Sequence, residues 1–398
     1  MRVSTSMIYD KGLVQMQNQT ASLLKTQQQL ASGRRILTPS DDPIAAARAL
    51  EVGQSREVNQ QFMTNQSNAY DRLGVVESRL TGVGDILQYV RERVVQAGNA
   101  AYGSKEREAI TTDLRAQYDA LLGIANSKDA QGDFVFSGFK TNTQPYVGGF
   151  GNVAYQGDDS NVGVQVSAAR TMPVSFAGSE VFAGVRLPDD PVWTAAAADN
   201  TGDGAITLAG GSVAPDAGIR YEIEYDGANY AVTRREPGQP DQNIAPVTFT
   251  AGPPDTITFD GGVEFEIAGT PEAGDRFEAF VASDDIFANL ALVIDAVERP
   301  GAAEVADAAV AFGLDTLDSA LESISRVRAR IGSQMVEIDN LANVGGDLEV
   351  QYASEISRLQ DVDVAEAISR LSRQQVFLEA AQQSYLRVTG LSLFNFLS

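Results

Sequence analysis

Residues 69–94 read AYDRLGVVESRLTGVGDILQYVRERV, and this stretch decides the fold. Its apolar residues recur at alternating steps of four and three: Ala69, Leu73, Val76, Leu80, Val83, Leu87, Val90 and Val94. Charged residues such as Arg72, Glu77 and Glu92 lie between them. The repeat predicts a long helix that packs along a partner helix as a coiled coil.

Signals around this stretch set the neighbouring elements. Thr38–Pro43 offers an N-cap followed by proline at a first helical position, so the long helix is expected to begin near Pro43. A second helix is expected over Ser104–Asn126. The same spacing returns late in the chain, with Gln334 as its polar member, at Leu317, Ala320, Ile324, Val327, Ile331, Ile338 and Leu341. We expect this late helix to pair with the helix at 43–98.

The outermost helices have weaker seams. Over Thr5–Ala31 the repeat is half polar and runs Met16, Thr20, Leu23, Gln27, Leu30. A final helix is expected after Gly345-Gly346, where Val364, Leu371, Leu378 and Tyr385 alternate with Ile368, Gln375, Gln382 and Thr389. Such helices are marginal alone in water. Further copies of the chain are therefore expected to cover them and to complete their ordering on assembly.

The apolar residues of these two helices and of the carboxyl end form the predicted assembly interface. Its members are Leu13, Met16, Leu23, Leu24, Leu30, Ile368, Leu371, Leu378, Tyr385, Leu391, Leu393, Phe394, Phe396 and Leu397. Exposed apolar patches mark association surfaces, although docking onto the chain's own core is the alternative. Both hold if the partner is another copy.

The middle of the chain changes to the period of strands. Tyr221–Tyr225 with Tyr230–Val232, and Thr256–Phe259 with Val263–Ile267, each flank an Asp-Gly turn and predict hairpins. The segment 151–285 holds 22 acidic and 6 basic residues, which favours a solvated outer position. Turns at Arg186–Pro191 and Ser283–Asp285 bracket an insertion.

These patterns predict an α+β, multi-domain chain, with a long α-helical coiled-coil bundle formed by both chain ends and an inserted β-rich domain. The expected domains are a terminal helical assembly domain (1–40 and 350–398), a helical rod domain with β-hairpins (41–185 and 283–349), and an inserted β-rich outer domain (186–282).

Composition narrows the chemistry. The chain has no cysteine and no histidine, which removes disulfides, thiolate or imidazole zinc sites and histidine-based catalysis. A carboxylate-only hydrolase stays open. Asp199–Gly204 begins like a calcium loop, but its twelfth position is Gly210, and an Asp/Gly turn is favoured. We expect no metal, no cofactor and no catalytic site.

Charge and hydropathy bear on partners and location. The net charge of -23 disfavours nucleic acid and anionic membrane surfaces. No apolar run suits a signal peptide or a membrane span. We therefore expect no membrane insertion and, if the protein is exported, export without a cleaved signal.

Several stretches resemble the flagellin superfamily. They are Met1–Thr5, Leu30–Ile36 with Pro39–Pro43, the segment Phe134–Tyr146 (similar to the family's first hairpin), Gln360–Leu371 and Leu391–Leu397. The carboxyl end resembles the hook-associated members more than flagellin proper. The resemblance covers roughly the first 185 and last 115 residues, and no motif assigns residues 187–282, which we expect to be a spacer.

The resemblance implies a structural adaptor and no enzyme. It implies export through the flagellar type III apparatus with the FlgN chaperone, and a position between a FlgK layer and the first flagellin subunits. The chain would then form a homo-oligomeric ring or helical layer. Two other functions remain open: a bulk filament flagellin, and a secreted adhesin or carbohydrate-active protein that acts through the middle domain.

Overall fold

The computed structural model describes residues 5–99, 101–187, 191–197, 199–298 and 303–394. Long helices and short antiparallel strands make the fold α+β, as predicted. The chain divides into two compact units, Met1–Thr64 with Asn340–Ser398 and Asn65–Asp339. We call them the terminal unit and the central unit. No helix within the described ranges is both long enough and apolar enough to cross a membrane.

The helices are α1 (Thr5–Ser32), α2 (Pro43–Ala97), α3 (Ser104–Ala125), α4 (Gly178–Phe182), α5 (Ile286–Glu298), α6 (Ala303–Gln360) and α7 (Val364–Phe394). The strands are β1 (Tyr146–Gly149), β2 (Asn152–Tyr155), β3 (Gly163–Ser167), β4 (Arg170–Pro173), β5 (Val192–Ala196), β6 (Ala205–Leu208), β7 (Ile219–Tyr225), β8 (Tyr230–Arg235), β9 (Gln242–Ile244), β10 (Thr248–Thr250), β11 (Asp255–Phe259), β12 (Val263–Ala268) and β13 (Arg276–Val281).

The central unit is organised around the predicted coiled coil of α2 and α6. Every seam residue from Ala69 to Val94 is buried, as are the α6 positions from Leu317 to Ile338, whereas Leu341 is only partly covered. Ion pairs flank the seam, with Arg91 bonded to Asp318 at 2.7 Å and Arg328 to Glu77 at 2.8 Å. The two helices therefore pair, as the matching repeats predicted, and the ion pairs show that they run antiparallel.

Helices α3 and α5 and the hairpins β1–β2 and β3–β4 complete this helical part. A buried aromatic cluster joins them, with the Tyr146 ring 5.1 Å from Phe287 and 5.5 Å from Phe182, and the Tyr118 ring 5.7 Å from Phe287. Burial raises the pKa of the Tyr118 and Tyr146 hydroxyls above their usual range. These aromatic rings fix the start of α5, where the chain returns from the insertion.

The insertion is a β-sandwich of two antiparallel sheets. One sheet has the order β5-β13-β7-β8-β9 and the other β10-β11-β12-β6. Alternation places Val263, Phe265 and Ile267 of β12 in the core, and Glu264 and Glu266 on the opposite face. Both predicted hairpins are confirmed, because Tyr225 pairs with Tyr230 and Phe259 pairs with Val263.

The outer face of the five-stranded sheet packs on the helical part. The fully buried Arg220 donates two hydrogen bonds to Glu278, at 2.6 and 2.7 Å, and its guanidinium lies 3.9 Å from Asp295 of α5. The ring of Trp193 lies 5.2 Å from Phe312 of α6. Trp193 therefore serves as packing at the joint, and this joint holds the sandwich against the helices of the same unit.

The structure corrects two details of the sequence prediction. The final helix does not begin after Gly345-Gly346, because α6 continues through the glycine pair to Gln360 and α7 begins at Val364. Gly345 lies against α2, where a Cβ would come within 3.0 Å of Met63 Cγ, so this glycine serves helix packing. Phe134 forms an isolated bridge with Lys128, Val135–Phe139 forms turns and a bend, and the first hairpin starts only at Tyr146.

Candidate assembly interface

Helices α1 and α7 of the terminal unit form an antiparallel pair. At one end an isolated β-bridge joins Arg34 to Asp361, and at the other end the ring of Tyr385 lies over Gly12. A Cβ placed on Gly12 would be 3.1 Å from Cδ2 of that ring. The two ends of the chain thus supply the two helices of one pair.

At the polar positions of this pair's seam, the covered residue is the neighbour of the one that the sequence pattern predicted. The covered residues of α1 are Gly12, Met16, Gln19, Leu23, Thr26, Gln29 and Leu30, and those of α7 from Ala367 onward are Ala367, Arg370, Leu371, Gln374, Leu378, Ala381 and Tyr385. The predicted polar positions Thr20, Gln27, Gln375 and Gln382 are exposed instead, and so are the predicted apolar positions Val364 and Ile368. Adjacent polar residues compete for these positions, so a half-polar repeat leaves the register of the seam undecided.

Little of the seam is fully buried. Among the described side chains of α1 and α7, only Thr26, Gln29 and Ala367 are buried. Met16, Leu23, Leu30, Leu371, Leu378 and Tyr385 are partly covered. Burial of an apolar side chain contributes roughly 1.5–3 kcal/mol when it is complete. The pair therefore leaves much of its stabilisation to be gained from further contacts.

Four of the eight exposed large apolar residues in the described part of α1 and α7 lie on one side; the other four, Val14, Val364, Val376 and Phe377, do not directly follow a covered residue. Leu13, Leu24, Ile368 and Leu386 each directly follow a covered residue of the seam, at Gly12, Leu23, Ala367 and Tyr385. A step of one residue turns by 100° around a helix, and in an antiparallel pair the same step on both helices leads to the same side. These four residues form what we call the apolar flank. The opposite side of α1 carries Lys11, Gln15, Asn18 and Ser22.

The predicted interface residues thus fall into three groups. Leu13, Leu24 and Ile368 lie on the apolar flank, while Met16, Leu23, Leu30, Leu371, Leu378 and Tyr385 lie in the seam. Leu391, Leu393 and Phe394 lie in the last turns of α7, and Phe396 and Leu397 lie outside the described residues. Leu386, which the sequence interpretation missed, joins the flank, and its position one residue after Tyr385 was the available signal.

The α2–α6 part of the terminal unit is also sparsely covered. The Asn59 amide donates to the Gly345 carbonyl at 2.8 Å, and Arg56 bonds Glu349 at 2.6 Å. Small residues, Ala45 and Ala49, fill the α2 seam. Outside the seam, large apolar side chains are exposed at Ile44, Leu50, Val58, Val344 and Val350.

Exposed apolar side chains concentrate in the terminal unit. Of the exposed large hydrophobic residues in the described part of the chain, thirteen belong to this unit of 123 residues and six to the 275-residue central unit. The terminal unit also has eleven Lys and Arg against twelve Asp and Glu, so the central unit carries nearly all of the chain's net charge of -23. The terminal unit therefore differs from the acidic central unit in having almost no net charge and more exposed apolar side chains.

The carboxylates of the calcium-like stretch, Asp199–Gly204, make contacts within the β-sandwich. The Asp203 carboxylate accepts hydrogen bonds from the Thr270 amide at 2.7 Å and hydroxyl at 2.6 Å, which hold its pKa below the usual range. Asp199 pairs with Arg276 at 2.7 Å. The carboxylates of the calcium-like stretch are therefore engaged in turn and ion-pair contacts, as the turn interpretation predicted. No cluster of three potential metal ligands occurs within the described ranges.

Comparison with known proteins identifies the family. The family models for the bacterial flagellin N-terminal and C-terminal helical regions match residues 3–141 and 314–397, together more than half of the chain. Flagellar hook-associated protein 3 of Salmonella typhimurium (strain LT2) is 27% identical over 395 residues, which cover 99% of each chain. The chain belongs to the FlgL group of the flagellin superfamily. Flagellar hook-associated protein 3 of Escherichia coli (strain K12) is 26% identical over 400 residues, covering 99% of each chain.

Solved structures agree with this assignment. FlgL of Xanthomonas campestris superposes with a TM-score of 0.54 at 25% identity, over 77% of this FlgL-group chain and 99% of that one. The chain is thus a flagellin-like structural protein of the bacterial flagellum. The insertion has a relative too, because the model for the D2-like domain of flagellar hook-associated protein 1 matches residues 195–279. The sequence interpretation found no family motif in residues 187–282, and this match corrects it.

Proposed function

We propose that this FlgL-group chain is a structural adaptor that joins the flagellar hook, through a layer of FlgK, to the flagellin filament. Copies meet through the terminal unit, and identical head-to-tail contacts build a ring or helical layer. The observation that carries the proposal is the α1–α7 pair with its apolar flank. The names of the relatives support it, because they are flagellar hook-associated proteins.

The apolar flank can be tested by binding to isolated hooks that carry FlgK. The variant L13S/L24S/I368S replaces three flank residues, which are 48–52% exposed and lose little in the single chain. Loss of their burial on assembly weakens co-sedimentation at least about tenfold. The matched control V147S/V213S changes apolar residues of the central unit that are 49% and 44% exposed, and it should bind normally. Equal binding by both variants would show that the flank is not the interface.

Ordering of the termini on assembly is a second part of the proposal. The few buried side chains of the α1–α7 pair support it, because ordering consumes part of the association energy when contacts are incomplete. Limited proteolysis of the free chain should remove roughly the first 40 and last 40 residues while 43–345 survives, and assembled chains should resist. If both ends of the free chain resist as strongly as the middle, they are fully ordered before assembly.

Two further steps rest on the family alone. Export through the flagellar type III apparatus, with FlgN as chaperone, fits a chain that has no cysteine to cross-link during passage. Deletion of the FlgN gene in the source strain should lower the amount of this protein outside the cell. An unchanged amount would exclude FlgN as its chaperone.

The bulk-filament alternative predicts abundance. A filament subunit would dominate purified filaments, whereas a junction adaptor is present in a small fixed number per filament. Quantitative mass spectrometry of sheared filaments with attached hooks separates the two.

For the β-sandwich we propose a spacer role, supported by its acidic surface and by Val213 as its one exposed large apolar residue in the described part. Sugar binding or turnover by the chain would favour the adhesin or carbohydrate-active alternative.

A further inference from the structure

The two linkers that lead to the terminal helices are bonded to each other. Residues 33–42 join α1 to α2, and residues 361–363 join α6 to α7. The Arg35 amide donates to the Gln360 carbonyl at 2.7 Å, and the Val362 amide donates to the Gly33 carbonyl at 2.9 Å. The bridge between Arg34 and Asp361 lies between these bonds. The linkers therefore form a short antiparallel ladder.

Side chains tie this ladder to the helices on both sides. The Arg35 guanidinium donates to the Leu359 carbonyl at 2.8 Å and to the Asp42 carboxylate at 3.2 Å. The buried Gln29 of α1 donates its amide to the Arg35 carbonyl at 2.6 Å. Arg35 is thus bonded at once to α1, to the end of α6 and to the turn before α2.

A second group secures the end of α1. The Asp41 carboxylate accepts the Leu37 and Thr38 amides, both at 3.0 Å, and the Lys25 ammonium at 2.6 Å. Ile36, between the two groups, is buried. Charged hydrogen bonds to several backbone groups fix a loop far more firmly than solvent-exposed ion pairs do. We call Gln29, Arg35, Asp41 and the facing segment Leu359–Val362 the linker clamp.

We propose that the linker clamp couples α1 to α7, so that the two terminal helices order and detach as one element. The helices contribute little buried apolar surface of their own, so their pairing depends on the high effective concentration that a fixed crossover provides. The apolar flank needs residues from both helices. Because of the clamp, the flank residues of α1 and those of α7 become available for binding together. Neither set is available without the other.

This inference deepens the proposed function. If the coupling holds, a copy with incompletely ordered terminal helices does not bind, and this consequence rests on the proposed function. The coupling itself is a property of the single chain. A measurement on the free chain therefore tests the coupling of the two helices without any partner. Co-sedimentation with hooks tests the proposed function. Failure of one leaves the other result standing.

The test compares two neighbouring arginines by hydrogen exchange with mass spectrometry on the full-length chain, using short labelling pulses. Arg35→Ala removes the clamp contacts to Leu359 and Asp42. Arg34→Ala is the matched control, because its contribution to the ladder is made by the backbone bridge and none of the clamp side-chain bonds involves it. Peptides from the central unit report whether each variant remains folded.

We expect Arg35→Ala to speed exchange roughly three- to tenfold in α1 and by the same factor in α7, the range given by a partly exposed charged hydrogen bond. Arg34→Ala should leave both helices unchanged. Faster exchange confined to residues 29–42, or in α1 without α7, would overturn the coupling. The same holds if Arg34→Ala matches Arg35→Ala, or if both helices are unprotected in the unsubstituted chain.

Discussion

The ring of Tyr385 lies directly over Gly12, with Cδ2 and Cε2 at 3.1 and 3.4 Å from the position that a Cβ on Gly12 would occupy. This contact joins the amino-terminal helix to the carboxyl-terminal one near the end of their pairing. A glycine in the helix interior is unfavourable by about 1 kcal/mol relative to alanine. Its presence at this contact is accounted for by the close approach of the ring.

Gly12→Val should therefore separate the two helices at this end. The added methyl groups meet the Tyr385 ring, and overpacking of this kind costs about 1–3 kcal/mol. We expect tryptic cleavage after Lys25 and Arg370 to become roughly fivefold faster in the free chain. Gly53→Val makes the same exchange on α2 where no atom lies within 4 Å, so its cleavage rates should stay unchanged. Equal rates for the two variants would contradict the Gly12–Tyr385 contact.

Adjacent glycines in α6 should respond differently to alanine. A Cβ at Gly345 meets Met63 Cγ at 3.0 Å, whereas a Cβ at Gly346 meets no atom within 4 Å. Gly346→Ala should raise the free energy of unfolding by up to about 1 kcal/mol, through helix propensity alone. Gly345→Ala should gain less, because Met63 must move. Denaturant unfolding followed by circular dichroism checks the order, and a larger gain at Gly345 would show that α2 is not packed there.

The buried pair of Arg220 and Glu278 should be the most sensitive polar contact of the central unit. Arg220→Met leaves the Glu278 carboxylate buried without its two hydrogen bonds, which costs about 3–5 kcal/mol. The double variant R220M/E278L removes the pair but leaves the buried Asp295 carboxylate without the guanidinium 3.9 Å away, so it should recover part of that loss. Trp193, the one tryptophan, lies at the same joint, so its fluorescence reports the unfolding.

The control for this prediction is an ion pair at the surface of the same sheet. Arg276 bonds Asp199 at 2.7 Å, with side chains that are 35% and 60% exposed. Exposed pairs contribute about 0–1 kcal/mol, so Arg276→Met should change the unfolding midpoint little. A double variant that is no more stable than Arg220→Met would show that the uncompensated Glu278 charge does not account for the loss.

The strong repeats predicted the fold where apolar residues alone decide the packing. The eight seam positions from Ala69 to Val94 are all buried, because no polar competitor stands in the repeat. The half-polar helices were harder to place. Gln19 and Thr26 occupy the seam where Thr20 and Gln27 were predicted, since neighbouring polar residues pack almost equally well.

Other features depend on tertiary contacts that a sequence does not display. The Gly345-Gly346 pair predicted a helix end, but Gly345 packs against Asn59 and Met63 and α6 continues through it. Arg220 occupies a strand position that alternation alone assigns to the face away from the sandwich core, and only the return of α5 with Asp295 buries it. Three of the four flank residues, Leu13, Leu24 and Ile368, stood in the predicted interface and Leu386 did not, and that the four lie on one side followed only from the antiparallel pairing of α1 and α7. The predicted domain boundaries stay a prediction.

Asp285 makes the stability of the central unit depend on pH. Burial at the start of α5 is the largest effect on this carboxyl and raises its pKa from 3.8 to about 6, although the Phe287 amide donates to it at 2.7 Å. The groups that face it are the buried Tyr118 and Tyr146 hydroxyls and the neighbouring Asp284 carboxylate. Because the folded pKa is raised, protonation of Asp285 stabilises the fold below about pH 4, and this stabilisation is lost as the pH rises through 6.

Asp285→Asn should therefore stabilise the protein at neutral pH and not in acid. Asparagine keeps a cap acceptor for the Phe287 amide but carries no charge to bury. The pKa shift sets the gain in unfolding free energy at pH 7.5 at about 3 kcal/mol at most, falling towards zero near pH 4. Urea unfolding at both pH values measures it, with the exposed Asp284→Asn as control, for which only a small change is expected. A gain that is equal at both pH values would assign the effect to capping, because only a buried charge makes it vary with pH.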